Sequence, residues 1–419
     1  MLEEFLIKSN IKYSFFLFYL GVFLLPSAFS LSAFLLLIAS MIGFKKNNEI
    51  FIKDGINVAF LISSAFMIIS CAFQSINYES SGLANWTPSL SWIGLVNWIP
   101  FFFLSWGFQP FLITAKARKR FALVLLAGSF PVLITGIGQV FFNWYGPKEI
   151  MNGLIIWYSR PSDNNVLTGL FNNPNYAGAW LNIILPIALA KLVKKDSFLR
   201  RTISLIFLVL IIICIILTNS RSAWICLFAS TILFFGVNSF KWVISAVIVI
   251  AIPILYSVLN QQFTLIPVET LNEFTNFQYL DRLDIWIKSL QIISNHPLFG
   301  SGAASFAEIY QNISGIEKYH SHNLIFEMTI SYGIPAALFT FIPIIYLTLV
   351  SINKCFIKES FPYSLIERSL VTSLITVLMM HMVDIQYFDG RISLIIWILI
   401  AAIRNITYKK SKESDPIEF

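Results

Sequence analysis

The chain has 419 residues, 57% of them hydrophobic and 12% charged, with 40 phenylalanines and a mean hydropathy of +0.74. That is roughly 239 apolar residues, the stock for roughly 12 membrane-spanning helices at about 20 residues each and more than soluble cores of ordinary domain size bury. A β-barrel is excluded because the apolar runs are long and unbroken rather than alternating, and the excess of 29 basic over 22 acidic residues is an orientation signal that does not suggest nucleic acid.

The N-terminus, MLEEFLIKSNIKY, places acids before the first apolar run and shows no small-residue cleavage site, so no removable signal peptide is expected. The run from Tyr13 to Phe44 is too long for one span and is broken at Pro26-Ser27, which predicts a tight helical pair. Further spans are predicted near 55–73, 91–112, 121–143, 174–192, 202–218, 222–237, 242–258, 323–350, 369–385 and 392–404. The expected fold is therefore all-α: a polytopic transmembrane helical bundle of about 12 spans, one integral membrane unit over 1–419.

Lys and Arg concentrate in alternate connections, at Lys45, Lys46 and Lys53, at Lys116 to Arg120, and at Lys191 to Arg201. By the positive-inside rule these connections, both termini and the tail 405–419 are cytoplasmic. Only seven basic residues then remain outside: Lys148, Arg160, Arg221, Arg282, Lys288, Lys318 and Arg391. The outer face receives a long loop, 259–321, inserted before the tenth span, and lesser ones near 74–90 and 144–166. Within the long loop, Leu280, Leu283, Ile287, Leu290 and Ile293 recur at three- and four-residue steps. This predicts an amphipathic helix over Tyr279–Ser294, on the membrane surface or against the bundle. Cys71, Cys214 and Cys226 fall in apolar runs and Cys355 in a basic loop, so neither a disulfide framework nor a zinc site is expected.

Polar motifs at the ends of such spans are functional candidates. In FNNPNYAGAW, Asn172, Asn173 and Asn175 surround Pro174; they serve a helix start or bind a ligand through their amides. In LTNSRSAW, Ser220 and Arg221 lie in a tight turn, where the guanidinium either snorkels to lipid headgroups or grips a phosphate with paired hydrogen bonds. Arg282 lies between Asp281 and Asp284 at the head of the surface helix; it is either solvated there, its charge offset by those carboxylates, or turned inward to a phosphorylated ligand. In YHSHNLIFE, His320, His322 and Asn323 precede the tenth span. One neutral imidazole there either caps and packs or acts as general base for a hydroxyl. The two histidines alone do not make a metal site, since HExxH and Cys spacings are absent, and no cofactor is expected.

HPLFGSGAASF reads as a flexible turn at Gly300 and Gly302, without the Lys of a phosphate-binding loop. His381 and Asp384 are three apart and form either a proton relay or, preferably, a structural pair. The topology delivers the four motifs to one face. Two arginines, a histidine and a run of amides are an inventory for a diphosphate-linked lipid: arginines for the leaving diphosphate, histidine for the proton of an attacking hydroxyl.

At these residues the chain resembles the O-antigen ligase and polymerase superfamily of bacterial inner-membrane glycosyltransferases. FNNPNYAGAW, TNSRSAW, RLDIWIKSLQIISNHPLFGSGAASF and HSHNLIFEMTISYGIPAAL occur in that order over about 171–338. The resemblance implies metal-independent, inverting transfer of a glycan from an undecaprenyl diphosphate carrier to an acceptor hydroxyl, on lipid A core or a growing polysaccharide, at the periplasmic side. It assigns diphosphate binding to Arg221 and Arg282 and the catalytic role to His322, which Asn323 follows. Asn172, Asn173, Asn175, Ser220 and Asn323 are further candidate substrate contacts. Ligases, polymerases and protein O-glycosyltransferases share the pattern. A branch labelled as bicarbonate transporters supplies the rival class, but a transporter is expected to show inverted repeats and midplane sites, and neither is evident.

Overall fold

The computed structural model describes residues 2–47, 51–80, 82–153, 155–159, 166–194, 196–236, 278–357 and 365–408. The expected span at 242–258, the first part of the long loop and most of the tail lie outside the described residues. The helices of the first half are α1 (Leu2–Leu24), α2 (Phe29–Lys46), α3 (Gly55–Ile76), α4 (Pro88–Gly94), α5 (Ile99–Phe108), α6 (Ala115–Gly128), α7 (Phe130–Phe142), α8 (Pro174–Val193), α9 (Phe198–Leu217) and α10 (Arg221–Phe235). Those of the second half are α11 (Gln278–Asn295), α12 (Phe306–Ser314), α13 (Leu324–Tyr332), α14 (Ile334–Ile352), α15 (Leu365–His381) and α16 (Gly390–Thr407). A hairpin of β1 (Lys148–Ile150) and β2 (Ile155–Trp157) pairs antiparallel, Glu149 opposite Ile156, in a connection read as loop from the sequence.

Eight helical stretches among the described residues are long and apolar enough to cross a membrane, and Tyr13–Leu24 and Arg221–Phe235 are shorter apolar helices. This is a multi-pass membrane protein. The polarity of its interior fits: large apolar side chains such as Phe34 (59% exposed) and Ile206 (55%) cover the periphery, while hydroxyls are turned inward. Ser63, for example, donates to the Ala336 carbonyl at 2.8 Å and ties α3 to α14, the packing mode of helices in hydrocarbon.

Several expected spans are broken for local reasons. Gly333, at φ +90°, separates α13 from α14; a Cβ there would stand 2.1 Å from the Leu298 carbonyl oxygen. Pro131, near the start of α7, divides the 115–142 stretch into α6 and α7. At the centre stand α8 and α16, whose apolar windows are 78% and 89% buried, against 28% for α9 at the edge.

The helix ends sort by charge. At one end Lys46, Lys119, Lys191, Lys194, Arg200 and Lys354 gather; Lys354 reaches the Thr407 carbonyl and Lys191 pairs with Asp196 at 2.8 Å. Two further basic residues at this end are consumed by structure, since buried Arg118 pairs with Glu367, and Arg404 with Asp54 while donating to Asn57 at 2.9 Å. At the other end α8, α10, α13 and α16 begin. Each of these four starts is capped by a side chain, from Asn173, Ser220, Asn323 and Asp389 respectively. Trp157 in the hairpin donates to the Ser27 carbonyl at 2.8 Å, which brings the α1–α2 turn to this end as well.

Candidate functional site

The four capped starts hold the polar motifs, and the short segment 382–389 between α15 and α16 runs through their midst. Asn173 accepts from the Asn175 amide at 2.8 Å and so serves the cap, with Pro174 at the first helical position. Asn175 is thereby released to face across the bundle, and its Nδ2 donates to Asp384 Oδ2 at 2.8 Å. Asn172 is exposed. Arg391 holds this segment in place: it pairs with Asp389 at 2.8 Å, donates to the Leu170 carbonyl at 2.9 Å and lies 4.1 Å over the Phe171 ring.

The Ser-Arg turn packs directly against α8. A Cβ on Gly178 would meet Ala223 at 2.7 Å and Ser220 at 3.6 Å, so glycine is what allows this approach. Ser220 caps α10 and contacts Ser222 at 3.1 Å. Arg221 therefore stands half-buried at the first position of α10, beside the start of α8.

His322 is placed by its neighbours on both sides. The buried Glu327 carboxylate accepts from the Ser321 backbone and hydroxyl, both at 2.9 Å. Asn323 caps α13 by accepting from Ile325 and Phe326, and its amide donates to the Met382 carbonyl at 3.1 Å. Between these anchors His322 adopts φ +54°, a left-handed conformation unusual for a residue with a Cβ and maintained only where surroundings impose it. Its Nδ1 meets Asp384 Oδ1 at 3.0 Å. A carboxylate has no proton to give, so Nδ1 is the donor in this contact. The His322 side chain is 26% exposed and Asp384 8%, so the imidazole is reachable and its partner is not.

His320 lies against His322, ring centroids 4.2 Å apart, and its Nδ1 accepts the His322 backbone N–H at 3.3 Å. Burial pushes the His320 imidazole down to about 4, helped by the charges of His322 and Arg282. Arg282 is near enough to His320 to act in the same direction, more weakly than Asp384 acts in the other. Arg282 is half-buried near the head of α11. Of the carboxylates expected to offset it, Asp284 is occupied by Lys288 at 2.6 Å and Tyr310 at 3.0 Å, and the Asp281 side chain lies outside the described residues.

One sequence expectation changes. His381 and Asp384 are no pair: His381 Nδ1 meets Gln386 at 2.9 Å, and Gln386 in turn donates to Asp384 at 3.2 Å. The α15 helix ends at His381, which breaks the three-residue phase and turns Asp384 toward His322. The helix α11 covers the expected stretch, and its apolar stripe is not its packing face. Ile285, Ser289 and Ile292 are buried, whereas Leu283, Ile287 and Leu290 are 50%, 65% and 53% exposed.

His320, His322 and Asp384 each offer an atom within 4.8 Å of the others, the one His, Cys or carboxylate group of three among the described residues with the spacing for a cation. Both Asp384 oxygens are already used, by His322 on one side and Asn175 and Gln386 on the other. The arrangement suits proton transfer: an imidazole held by a buried carboxylate.

A multi-pass membrane protein with such a cluster at one end of its bundle has the layout of an enzyme acting at the membrane surface. Residues 206–341 match the family model described as O-antigen ligase, and this match supports the resemblance to the O-antigen ligase superfamily. The match supports a membrane enzyme of the O-antigen ligase or polymerase type. No curated protein matches the chain. The matched stretch contains Arg221, Arg282 and His322, whereas Asn175 and Asp384 lie outside it and join the site through the fold.

Proposed function

We propose that this protein moves a glycan from an undecaprenyl diphosphate carrier to an acceptor hydroxyl on lipid A core or a growing polysaccharide, as a ligase at the periplasmic face of the bacterial inner membrane. The observation that carries the reading is the His322–Asp384 contact at 3.0 Å, with Arg282 acting on the adjoining His320. His322 Nε2 takes the proton of the acceptor hydroxyl as its oxygen attacks the anomeric carbon. The carbon–oxygen bond to the diphosphate breaks, and the diphosphate leaves with the electron pair. Asp384 stabilises the imidazolium, and the guanidiniums of Arg221 and Arg282 offset the charge growing on the leaving group. Attack opposite the departing group inverts the anomeric centre, and no step requires a metal.

The basic end of the bundle is then cytoplasmic, with both termini there, in a bundle of about 12 spans. The long connection 259–321 and the site lie outside. The exposed Leu283, Ile287 and Leu290 stripe of α11 rests on the membrane surface, where a lipid-linked substrate arrives. Polymerase and protein O-glycosyltransferase activities use the same chemistry and differ in the acceptor alone.

The test is transfer from a lipid-diphosphate-linked glycan by the purified full-length protein and by His322→Ala, Arg221→Ala and Arg282→Ala. Loss of transfer in all three with normal folding supports the reading. Wild-type transfer by His322→Ala refutes it, and unimpaired glycans with reduced inorganic-carbon uptake in a deletion strain would favour transport instead.

A further inference from the structure

Asp384 reaches His322 from the turn segment between α15, which ends at His381, and α16, which begins at Gly390. A carboxylate so placed turns about its own side-chain bonds unless both oxygens are held. Oδ1 accepts from His322, and Oδ2 accepts from Asn175 of α8 and from Gln386 Nε2 at 3.2 Å. Gln386 is wholly buried, as is His381 behind it. The backbone beside Gln386 is anchored too. The ring of neighbouring Tyr387 stacks on Trp98 at 4.4 Å, and its hydroxyl donates to the Asn97 carbonyl and accepts from the Trp397 indole, both at 2.8 Å.

An amide opposite a carboxylate has two orientations, and only one of them holds it. With Nε2 toward Asp384 the amide donates; with Oε1 there, two acceptors face each other and the carboxylate is pushed away. His381 settles the choice. Its Nδ1 lies 2.9 Å from Gln386 Oε1, an atom that only accepts, so Nδ1 carries the proton. Reversing the amide would require that proton on Nε2 instead. His381 Nε2 is buried with no partner among the described residues, so a proton there would be a donor without an acceptor. The unpartnered nitrogen thus has a use: it confines His381 to one tautomer, His381 confines Gln386 to one orientation, and Gln386 confines Asp384.

We infer that His381 and Gln386 are positioning residues, a hydrogen-bonded chain that aims the Asp384 carboxylate at His322. The inference rests on the transfer reading, in which Asp384 steadies His322 as it takes the acceptor's proton. Burial keeps both residues away from donor and acceptor, so their effect falls on kcat and not on either KM.

The test is transfer kinetics of the full-length protein in nanodiscs for His381→Leu, His381→Asn and Gln386→Met. Leucine fills the space of the imidazole without a donor. Asparagine is smaller, but its Nδ2–H stands in the place of Nδ1–H and donates to Gln386 Oε1. Methionine has the shape of glutamine and no amide. Misplacing a reacting group by about 1 Å costs about 10²-fold, so His381→Leu and Gln386→Met are each expected to lower kcat by about 10- to 10²-fold with both KM values unchanged. Either variant carries the prediction if the other fails to fold. His381→Asn is expected to exceed His381→Leu in kcat by about tenfold, although its smaller side chain leaves a gap and lowers the melting temperature. A packing role gives the opposite order, with leucine the more active variant. That order overturns the inference, as does wild-type kcat in His381→Leu or Gln386→Met. Ring-nitrogen NMR of histidine-labelled protein reads the tautomer independently of activity. A proton on Nδ1 of His381 and none on Nε2 is expected in wild type and in His322→Ala; a proton on Nε2 alone overturns the inference. Normal transfer by His322→Ala refutes the transfer reading and this role with it, whereas loss of transfer there beside wild-type kcat in His381→Leu and Gln386→Met refutes this role alone.

Discussion

Replacing Asp384 by Asn changes one atom and isolates what the carboxylate does for His322. The wild-type carboxylate accepts from His322 at 3.0 Å, from Asn175 at 2.8 Å and from Gln386 at 3.2 Å. A hydrogen bond to a charged group is worth about 1.5–3 kcal/mol, and losing about 3 kcal/mol of transition-state stabilisation costs roughly 10²-fold in rate. A second effect adds to this. With donors from Asn175 and Gln386 on one side, the new amide turns its own NH₂ toward His322 Nδ1; the imidazole proton then moves to Nε2, and the lone pair needed for the acceptor is lost. Asp384→Asn is therefore expected to lower kcat by at least about 10²-fold while KM for the lipid-linked donor changes little, because Arg221 and Arg282 are untouched. The assay is transfer by purified protein with donor and acceptor varied separately, and thermal unfolding in the same detergent to confirm folding. A folded Asp384→Asn enzyme with kcat within about threefold of wild type would show that His322 is not the base or is not held by Asp384 during turnover.

The depressed His320 titration has a stability consequence. Its folded value of about 4 lies below the ordinary 6.5, so its contribution is complete above about pH 6.5 and is lost as pH falls toward 4. At pH 5 that loss is about 2 kcal/mol; His320→Gln is expected to flatten the acid dependence of unfolding by that amount, and an unchanged profile would contradict the assignment. Glu367→Ala strands buried Arg118 without its partner and is expected to destabilise by about 3–5 kcal/mol, read as a lower melting temperature; a wild-type melt would show that the pair contributes nothing. Zinc is expected to inhibit transfer by occupying His320, His322 and Asp384, whose ligand atoms lie within 4.8 Å, while a chelator alone leaves transfer unchanged. Loss of activity on chelation would instead make the metal part of the reaction.

How much was legible in the sequence depends on the range of the interaction involved. Hydropathy is a sum over adjacent residues, so the multi-pass helical class follows from composition and run length, and the gathering of Lys and Arg at one end follows from their places between runs. The helix start at Asn173 was equally local, since a cap binds backbone two or three residues ahead. Interruptions were less legible: the break at Gly333 exists because the Leu298 carbonyl, 35 positions back along the chain, approaches too closely for any side chain.

The site itself was half legible. His322, Arg221 and Arg282 stand out as polar residues bordering apolar runs. Asp384 did not, because sequence spacing offered His381, three residues away, as its partner. Its actual partner lies 62 residues earlier in the chain, and Asn175 lies 209 residues earlier. Which carboxylate orients the histidine depends on where α15 stops and how α8 crosses it, and those are set by packing among elements remote in sequence. The same holds for FGSGAAS, a loose turn when taken alone and a tightly packed floor once Trp86 is laid over it. Composition and periodicity determined what kind of molecule this is; tertiary packing decided which side chains meet, because side-chain chemistry acts over a few ångströms that the chain crosses only by folding.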